Sequence, residues 1–289
     1  MTTQAWTSRV RHDSDATFRE WGSEFSAKLL AVGLTQTADT GQINWTTVTR
    51  PGANTDAGYE IWRFNDTAHA TTPIFIRFDY GTGSSTTAPR IRVTVGSGSN
   101  GSGTITGTAP FTVNNLGTAS TGSAVDTTYN SYMCYVAAIG AFGVMWKNGF
   151  GSAFQLFISR DVDSSGVATT DGCNVVINGQ SFLTTACMRL STGTITTKHN
   201  SVANAQLCLD PFTPGSSTVG SDFQAYVGFG CFPRVKPVLG YCGVRNSEIP
   251  EATTFTVALV GGTTRTYIGG PNHPNLSASS ALKPAMIWE

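Results

Sequence analysis

The hexapeptide Asp161-Val162-Asp163-Ser164-Ser165-Gly166 begins like a calcium loop, with side-chain oxygens at positions 1, 3 and 5 and glycine at position 6. The Glu that such a loop needs at position 12 is missing, and Gly172 stands there. A hairpin turn is therefore the first reading, and Asp161, Asp163 and Asp171 are the metal candidates should a cation bind. The four histidines, His12, His69, His199 and His273, are scattered through mostly polar contexts. No GxSxG nucleophile elbow, HExxH zinc helix or Walker-type phosphate loop accompanies them. The clusters Gly81-Thr82-Gly83 and Gly96-Ser97-Gly98 follow strand-like runs, but no helix pattern begins after them to hold a pyrophosphate. Glycoside hydrolysis needs two carboxylates across one sugar bond. Asp79, two residues from Arg77, reads instead as half of an ion pair on the solvent face of a strand. Aromatic rings can stack on a sugar, and Trp45, Tyr59 and Trp62 are the glycan candidates, against core packing as the default. The six cysteines, at 134, 173, 187, 208, 231 and 242, form no CxxC pair and match no zinc spacing. Buried free thiols are expected in preference to three disulfides. No catalytic residue, metal or cofactor is expected.

Any such residue must be held by the elements around it. Phe18, Trp21, Phe25, Leu29 and Val32 recur at spacings of three and four, which predicts a helix with one apolar stripe. Asp13-Ser14-Asp15 supplies N-cap candidates and Gly33 a C-cap. The stripe has two readings: a core face, or an assembly helix that docks on a partner subunit. After Leu34 the period changes to two. Residues 43–48, 59–64, 74–80 and 90–95 alternate as half-buried antiparallel strands do. Residues 96–107 are small and polar with one Ile, a long loop or hairpin tip, and a second such stretch runs over 114–128. Residues 132–146 are apolar enough for a strand buried on both faces, and Asn148-Gly149 then marks a hairpin into 154–158. Further short strands are expected near 174–177, 186–190, 205–209, 223–229, 235–241, 254–260 and 264–268. The proline-bearing tail, 271–289, is expected to run over a surface.

The fold expectation is all-β, an antiparallel sandwich or jelly-roll-like architecture, with one N-terminal amphipathic α-helix. Residues 1–36 form an arm and helix, 37–270 a β-rich domain with a division near 96–128, and 271–289 an extended tail.

Bulk composition narrows the function. Only 12% of the 289 residues are charged, about half the ordinary share, and 18 basic residues cancel 18 acidic ones. A neutral chain has no bulk attraction for phosphate backbones, so no nucleic-acid partner is expected. With 40% apolar residues and 16 Phe, disorder is excluded as well. The start of the chain lacks the pattern of a secretory signal, and no apolar run reaches the roughly 18 residues of a spanning helix. A soluble chain made in the cytoplasm, without membrane insertion, is the expectation.

Particular residues carry a resemblance. Phe18-Arg19-Glu20-Trp21-Gly22 leads into Val32-Gly33-Leu34-Thr35-Gln36-Thr37-Ala38-Asp39-Thr40-Gly41-Gln42-Ile43-Asn44-Trp45. Gly58-Tyr59-Glu60-Ile61-Trp62-Arg63-Phe64-Asn65-Asp66 and Pro73-Ile74-Phe75-Ile76-Arg77-Phe78-Asp79-Tyr80-Gly81 follow. This combination, over roughly residues 14–96, resembles virion structural proteins of tailed bacteriophages, of the tail and baseplate kind. These are packing and turn motifs, so no active-site residue is carried over. The resemblance implies a non-enzymatic subunit of the tail tip, baseplate or fibre attachment. Its partners would be copies of itself, in a ring or trimer, and other virion proteins. The alternatives are a receptor- or glycan-binding tail module that meets a host surface glycan, a capsid decoration protein, and, last, a polysaccharide depolymerase. The low charge agrees with surfaces that other subunits cover.

Overall fold

The computed structural model describes residues 2–9, 12–83, 87, 89–107, 111–116, 128–147, 153–162, 168–178, 182–190, 195–202, 229–231, 234–236, 241–245, 251–258, 264–270 and 282–289. In chain order, β1 is Thr2–Arg9, α1 Asp15–Ala31, β2 Thr35–Gln36, β3 Asp56–Arg63, β4 Phe75–Thr82, β5 Pro89–Gly96, β6 Gly98–Ser99, β7 Ile105–Thr106 and β8 Phe111–Leu116. There follow β9 Thr128–Val136, β10 Ala141–Lys147, β11 Ala153–Val162, β12 Ala168–Asn178, β13 Phe182–Arg189 and β14 Ile195–Val202. The remainder are β15 Phe229–Cys231, β16 Arg234–Lys236, β17 Tyr241–Arg245, β18 Thr254–Ala258, β19 Thr264–Gly269 and β20 Leu282–Ile287. Among the described residues the protein is thus all-β with a single α-helix near its N-terminus, and their sheets do not close into a barrel.

Three sheets matter. One has the order β2-β3-β4-β5-β8, the second β1-β9-β10-β11-β12-β13-β14, and the third β17-β20-β19-β18. Every pairing in them is antiparallel, and most neighbours are consecutive in the chain, so the first two are meanders. The first two sheets share one core with α1. Ile76, Phe78 and Tyr80 of β4 and Ile91, Val93 and Val95 of β5 face it from one side. Met133 and Tyr135 of β9 and Phe142, Val144 and Trp146 of β10 face it from the other.

The helix begins where the sequence places it. Ser14 caps it, its hydroxyl accepting from the Thr17 amide (3.2 Å) while the Thr17 hydroxyl accepts from the Ser14 amide (3.1 Å), a reciprocal capping box. It ends in a Schellman turn: Gly33 takes φ +103°, and the Leu34 amide reaches back to the Leu29 carbonyl (3.2 Å). Phe18, Trp21, Phe25, Leu29 and Val32 all turn into the chain's own core. Trp21 packs on Tyr80 and Trp146, and Phe25 on Phe78. The assembly-helix reading of this stripe is therefore corrected, since none of the five side chains is left to meet a partner. The helix's exposed large apolar residue is Leu30, at 63%.

Three further expectations change. Residues 43–48 are not a strand. The Asn44 side chain accepts from the Thr46 amide (3.0 Å), and its carbonyl from the Thr47 and Val48 amides, so the segment curls into a turn. Arg19 Nε straps that turn to α1 through the Val48 carbonyl (2.6 Å). Residues 132–146 are not one strand but two, β9 and β10, joined by a 3₁₀ turn and by Gly140 at φ 56°. They are indeed buried on both faces, because Met286 and Trp288 at the C-terminus pack against Gly143 and Tyr132 on the side away from the main core. The tail does not stay on the surface: β20 runs between β17 and β19, with Ala285, Met286 and Ile287 buried. Pro284 is tolerated there because the ladder with β19 stops one residue short of it, at Ala285. The 148–149 step itself and the strands expected at 205–209 and 223–228 lie outside the described residues.

Gly22 shows how tightly α1 is seated. A Cβ there would stand 1.9 Å from the Trp45 ring. Helix propensity alone predicts that Gly22→Ala gains about 1 kcal/mol. The expected outcome is the reverse, a loss of about 2 kcal/mol or more from overpacking, read as a lower urea midpoint at unchanged slope.

Candidate functional site

The candidate residues of β3 part company, because neighbours along a strand face opposite ways. Trp62 is 1% exposed and lies in the core, so no face of it is open to a sugar. Trp45 is half-buried and packed at the edge of the same core. Both indoles serve one carboxylate. Glu60, also 1% exposed, accepts from Trp45 Nε1 (3.0 Å) and Ser26 Oγ (2.8 Å) at Oε1, and from Trp62 Nε1 (3.2 Å) and Tyr80 Oη (2.6 Å) at Oε2. Burial, and then the adjacent Glu60 charge, push the Tyr80 hydroxyl well above its ordinary range, so it stays a donor. This is a structural polar cluster, and it takes two of the three glycan candidates out of the solvent-facing set.

Tyr59 points to the other face. Across β3, β4 and β5 the register builds a grid on that face: Asp56, Gly81 and Arg90 in one row, Tyr59, Asp79 and Arg92 in the next, Ile61, Arg77 and Thr94 in the third. Arg77 stacks on the Tyr59 ring, 4.2 Å from its centroid, and donates through Nε to Asp79 (3.0 Å) and through Nη1 to the Gly103 carbonyl. The Arg77–Asp79 pair is thus formed as read from the sequence. Asp56 takes one Nη2 each from Arg90 and Arg92. Arg92 reaches solvent, its side chain 33% exposed, while Arg90 stays at 7%. On this grid an aromatic ring, carboxylates and guanidinium groups share a surface that reaches solvent at Arg77 and Arg92.

The β6–β7 hairpin borders the grid, and Asp39 ties it down. Asp39 accepts from Thr37 Oγ1 (2.5 Å), from Ser99 Oγ and from the Gly103 amide (3.2 Å). Burial pushes its carboxyl up, but hydrogen bonds from Ser99, Thr37, Gly103 and Gly101 outweigh that and hold it below 3.8. Tyr59 Oη donates to the Thr40 carbonyl (2.6 Å) beneath the same hairpin, and a Cβ at Gly103 would stand 2.3 Å from that oxygen.

One ionic contact left no trace in the sequence. Arg160 of β11 donates through Nε (2.6 Å) and Nη2 (3.0 Å) to Asp66, and through Nη1 to Thr72 (3.2 Å). Asp66 and Thr72 bracket the short turn before β4, so the pair joins the two large sheets across 94 positions of chain. Gly140 makes room for it: a Cβ there would stand 2.7 Å from the Arg160 side chain.

The remaining candidates are dispersed. Asp161 lies near the end of β11 and Asp171 in β12, which pair antiparallel as the hairpin reading requires, while Asp163 lies outside the described residues. Among the described residues no group of three or more His, Cys, Asp or Glu could hold a metal ion. His12 is buried between Phe18 and Trp21. His69 sits on the turn after Asp66, its imidazole held below the usual range by burial and then by Arg63. His199 lies in β14, and His273 lies outside the described residues. Cys134 and Cys173 are buried free thiols, and burial pushes the Cys134 thiol up to about 11. No described helix is long and apolar enough to cross a membrane. No family model and no curated protein matches the chain.

Two outcomes are expected. Glu60→Gln keeps the shape but turns one acceptor into a donor facing two donors, which costs about 2–4 kcal/mol in chemical denaturation. A carboxyl held low in the fold adds stability above its unfolded value and loses it as pH falls through its folded value. As pH falls below the ordinary Asp range and through the lower folded value, the Gly101 and Gly103 amide resonances therefore shift as the hairpin loosens, and Asp39→Asn produces the same shift at neutral pH.

Proposed function

We propose that the chain is a non-enzymatic structural subunit of a phage virion, placed at the tail tip, baseplate or fibre attachment and assembled as a symmetric oligomer. The observation that supports this reading most is the use made of the motif residues. Trp21, Gly22, Trp45, Glu60, Trp62, Asp66 and Tyr80 all lie in the segments that resemble virion proteins, and every one of them packs, caps or pairs within the fold. Such residues build a scaffold, and a scaffold present in many copies is what a virion needs. The low charge of the remaining surface agrees with coverage by neighbouring subunits.

A second reading, a glycan-binding tail module, is favoured by Tyr59 alone among the three aromatic candidates, since it shares its row with Asp79 and Arg92. Light scattering of the purified protein and mass spectrometry of purified particles test the first reading. A ring or trimer, found again in particles at fixed copy number, is the expected result. A monomer at high concentration that is absent from particles overturns it. Labelled particles imaged at low resolution separate tail from capsid decoration. A glycan array with Tyr59→Ala as its control tests the second reading.

A further inference from the structure

We propose that Arg90 and Arg92 form a binding site for an oxyanion, either the carboxylate of an acidic sugar or a phosphate, on the outer face of β3–β5. The site does not depend on the assembly reading, because a monomer carries the same grid.

The argument begins with how this protein treats arginines that serve only its structure. Arg160 uses all three nitrogens: Nε and Nη2 bind Asp66 side by side, and Nη1 binds Thr72. Arg77 also uses all three, with Nε and Nη2 both on Asp79 Oδ1 and Nη1 on the Gly103 carbonyl. Arg90 and Arg92 depart from this pattern, as does Arg265, which reaches Glu289 through Nη1 with its Nε unpartnered among the described residues; but Arg265 does not share Glu289 with a second described arginine, whereas Arg90 and Arg92 share Asp56. Arg90 and Arg92 each reach Asp56 through Nη2 alone, and Nε of each is buried without a hydrogen-bond partner among the described residues. A guanidinium binds best through two parallel N–H groups, and neither of these two is so engaged.

Charge points the same way. The grid holds three guanidinium groups, Arg77, Arg90 and Arg92, against two carboxylates, Asp56 and Asp79. Asp79 is already held by Arg77, and Asp56 is shared between the other two. Among the described grid residues guanidinium groups thus outnumber carboxylates by one, and the bordering Asp39 carboxylate is taken up by Thr37, Ser99 and Gly103. Position completes the case. Arg90 and Arg92 are two residues apart on β5, so they stand side by side on one face, and Arg92 is a third exposed. A ligand oxyanion that arrives over Arg92 meets the solvent-reaching part of its guanidinium and supplies the second acceptor that Asp56 cannot give to both, while the buried Nε atoms join only if the side chain turns.

The probes are inorganic phosphate, glucuronate and, as the neutral control, glucose, each titrated into the full chain at low salt and followed by amide chemical shifts. Saturable millimolar binding of phosphate, glucuronate or both, with none for glucose, is expected. Whichever of the two binds more tightly names the source. Arg92→Gln is expected to weaken it about tenfold, and Arg92→Lys, which keeps the charge without the fork, by less. Arg265→Gln, at the ion pair with Glu289 near the C-terminus, is expected to leave binding unchanged. The melting curve of each variant checks its fold, and Arg92→Lys decides where Arg92→Gln does not fold. No saturable binding of either anion, equal binding of glucose, or full affinity in a folded Arg92 variant overturns the proposal.

Discussion

A buried carboxylate that no cation among the described residues pairs with governs the first half of this fold. An ionised Glu in an apolar interior costs several kcal/mol unless its lone pairs are met. Glu60 has about four acceptor sites, and four donors fill them: Ser26 from α1, Trp45 from the turn after β2, Trp62 from its own strand and Tyr80 from β4. Because the donors come from four segments, satisfying one anion fixes where all four lie. The turn must bring Trp45 inward, so the helix must offer a residue without a side chain beneath that ring, which is Gly22. Exchange for an apolar cluster of equal volume would not obviously lower stability. What the carboxylate supplies is a single arrangement, since any other packing leaves donors unpaired.

The same economy of charge runs through the other contacts. Arg19 and Asp15 on α1 hold the turn at 47–50 through backbone atoms. Asp39 holds the β6–β7 hairpin, and Arg160 with Asp66 joins the two large sheets. A chain with so few ionic groups has given these ones positions where one partner removed would strand the other. That gives the low charge content of the sequence a second meaning. It describes a surface poor in charge, and also an interior in which a few charges locate whole elements.

What could be read beforehand follows from this. The strands β3, β4 and β5 were legible because each has one face in the core and one outside, which writes period two into the sequence. The same period separates Tyr59 from Trp62, three positions apart and hence on opposite faces, and puts Glu60 on the apolar side with Trp62. The anomaly of an acid on a core face was thus visible, although its four donors were not. The strands β9 and β10 hide their boundary because both faces are covered, so no alternation marks it and only Gly140 does. Residues 43–48 mislead because the Asn44 side chain replaces a ladder with a turn while Ile43 and Trp45 still face inward. Arg160 and Asp66 are 94 positions apart and meet only after both sheets have formed.

The layering decides where this molecule can meet others. The seven-stranded sheet carries the main core on one face, and on the other Met286 and Trp288 lie against Gly143 and Tyr132. The helix stripe is likewise internal. The one surface that the sequence offered for docking is therefore covered by the chain itself, and so is the outer face of β9 and β10. The outer face of β3–β5 differs in kind, because there charged groups are held in register by strand pairing and some of them, Arg77 and Arg92 among them, reach solvent. Strand registers tolerate little slippage when the opposite face is core, since a slip of one residue would expose Phe78 and bury Arg77. The grid is thus held in register, with Arg92 and Arg77 reaching solvent while Asp79 and Arg90 are buried. Rigid donors at fixed spacing lose little entropy when they bind, which is the condition for recognising a small charged group on an otherwise neutral surface.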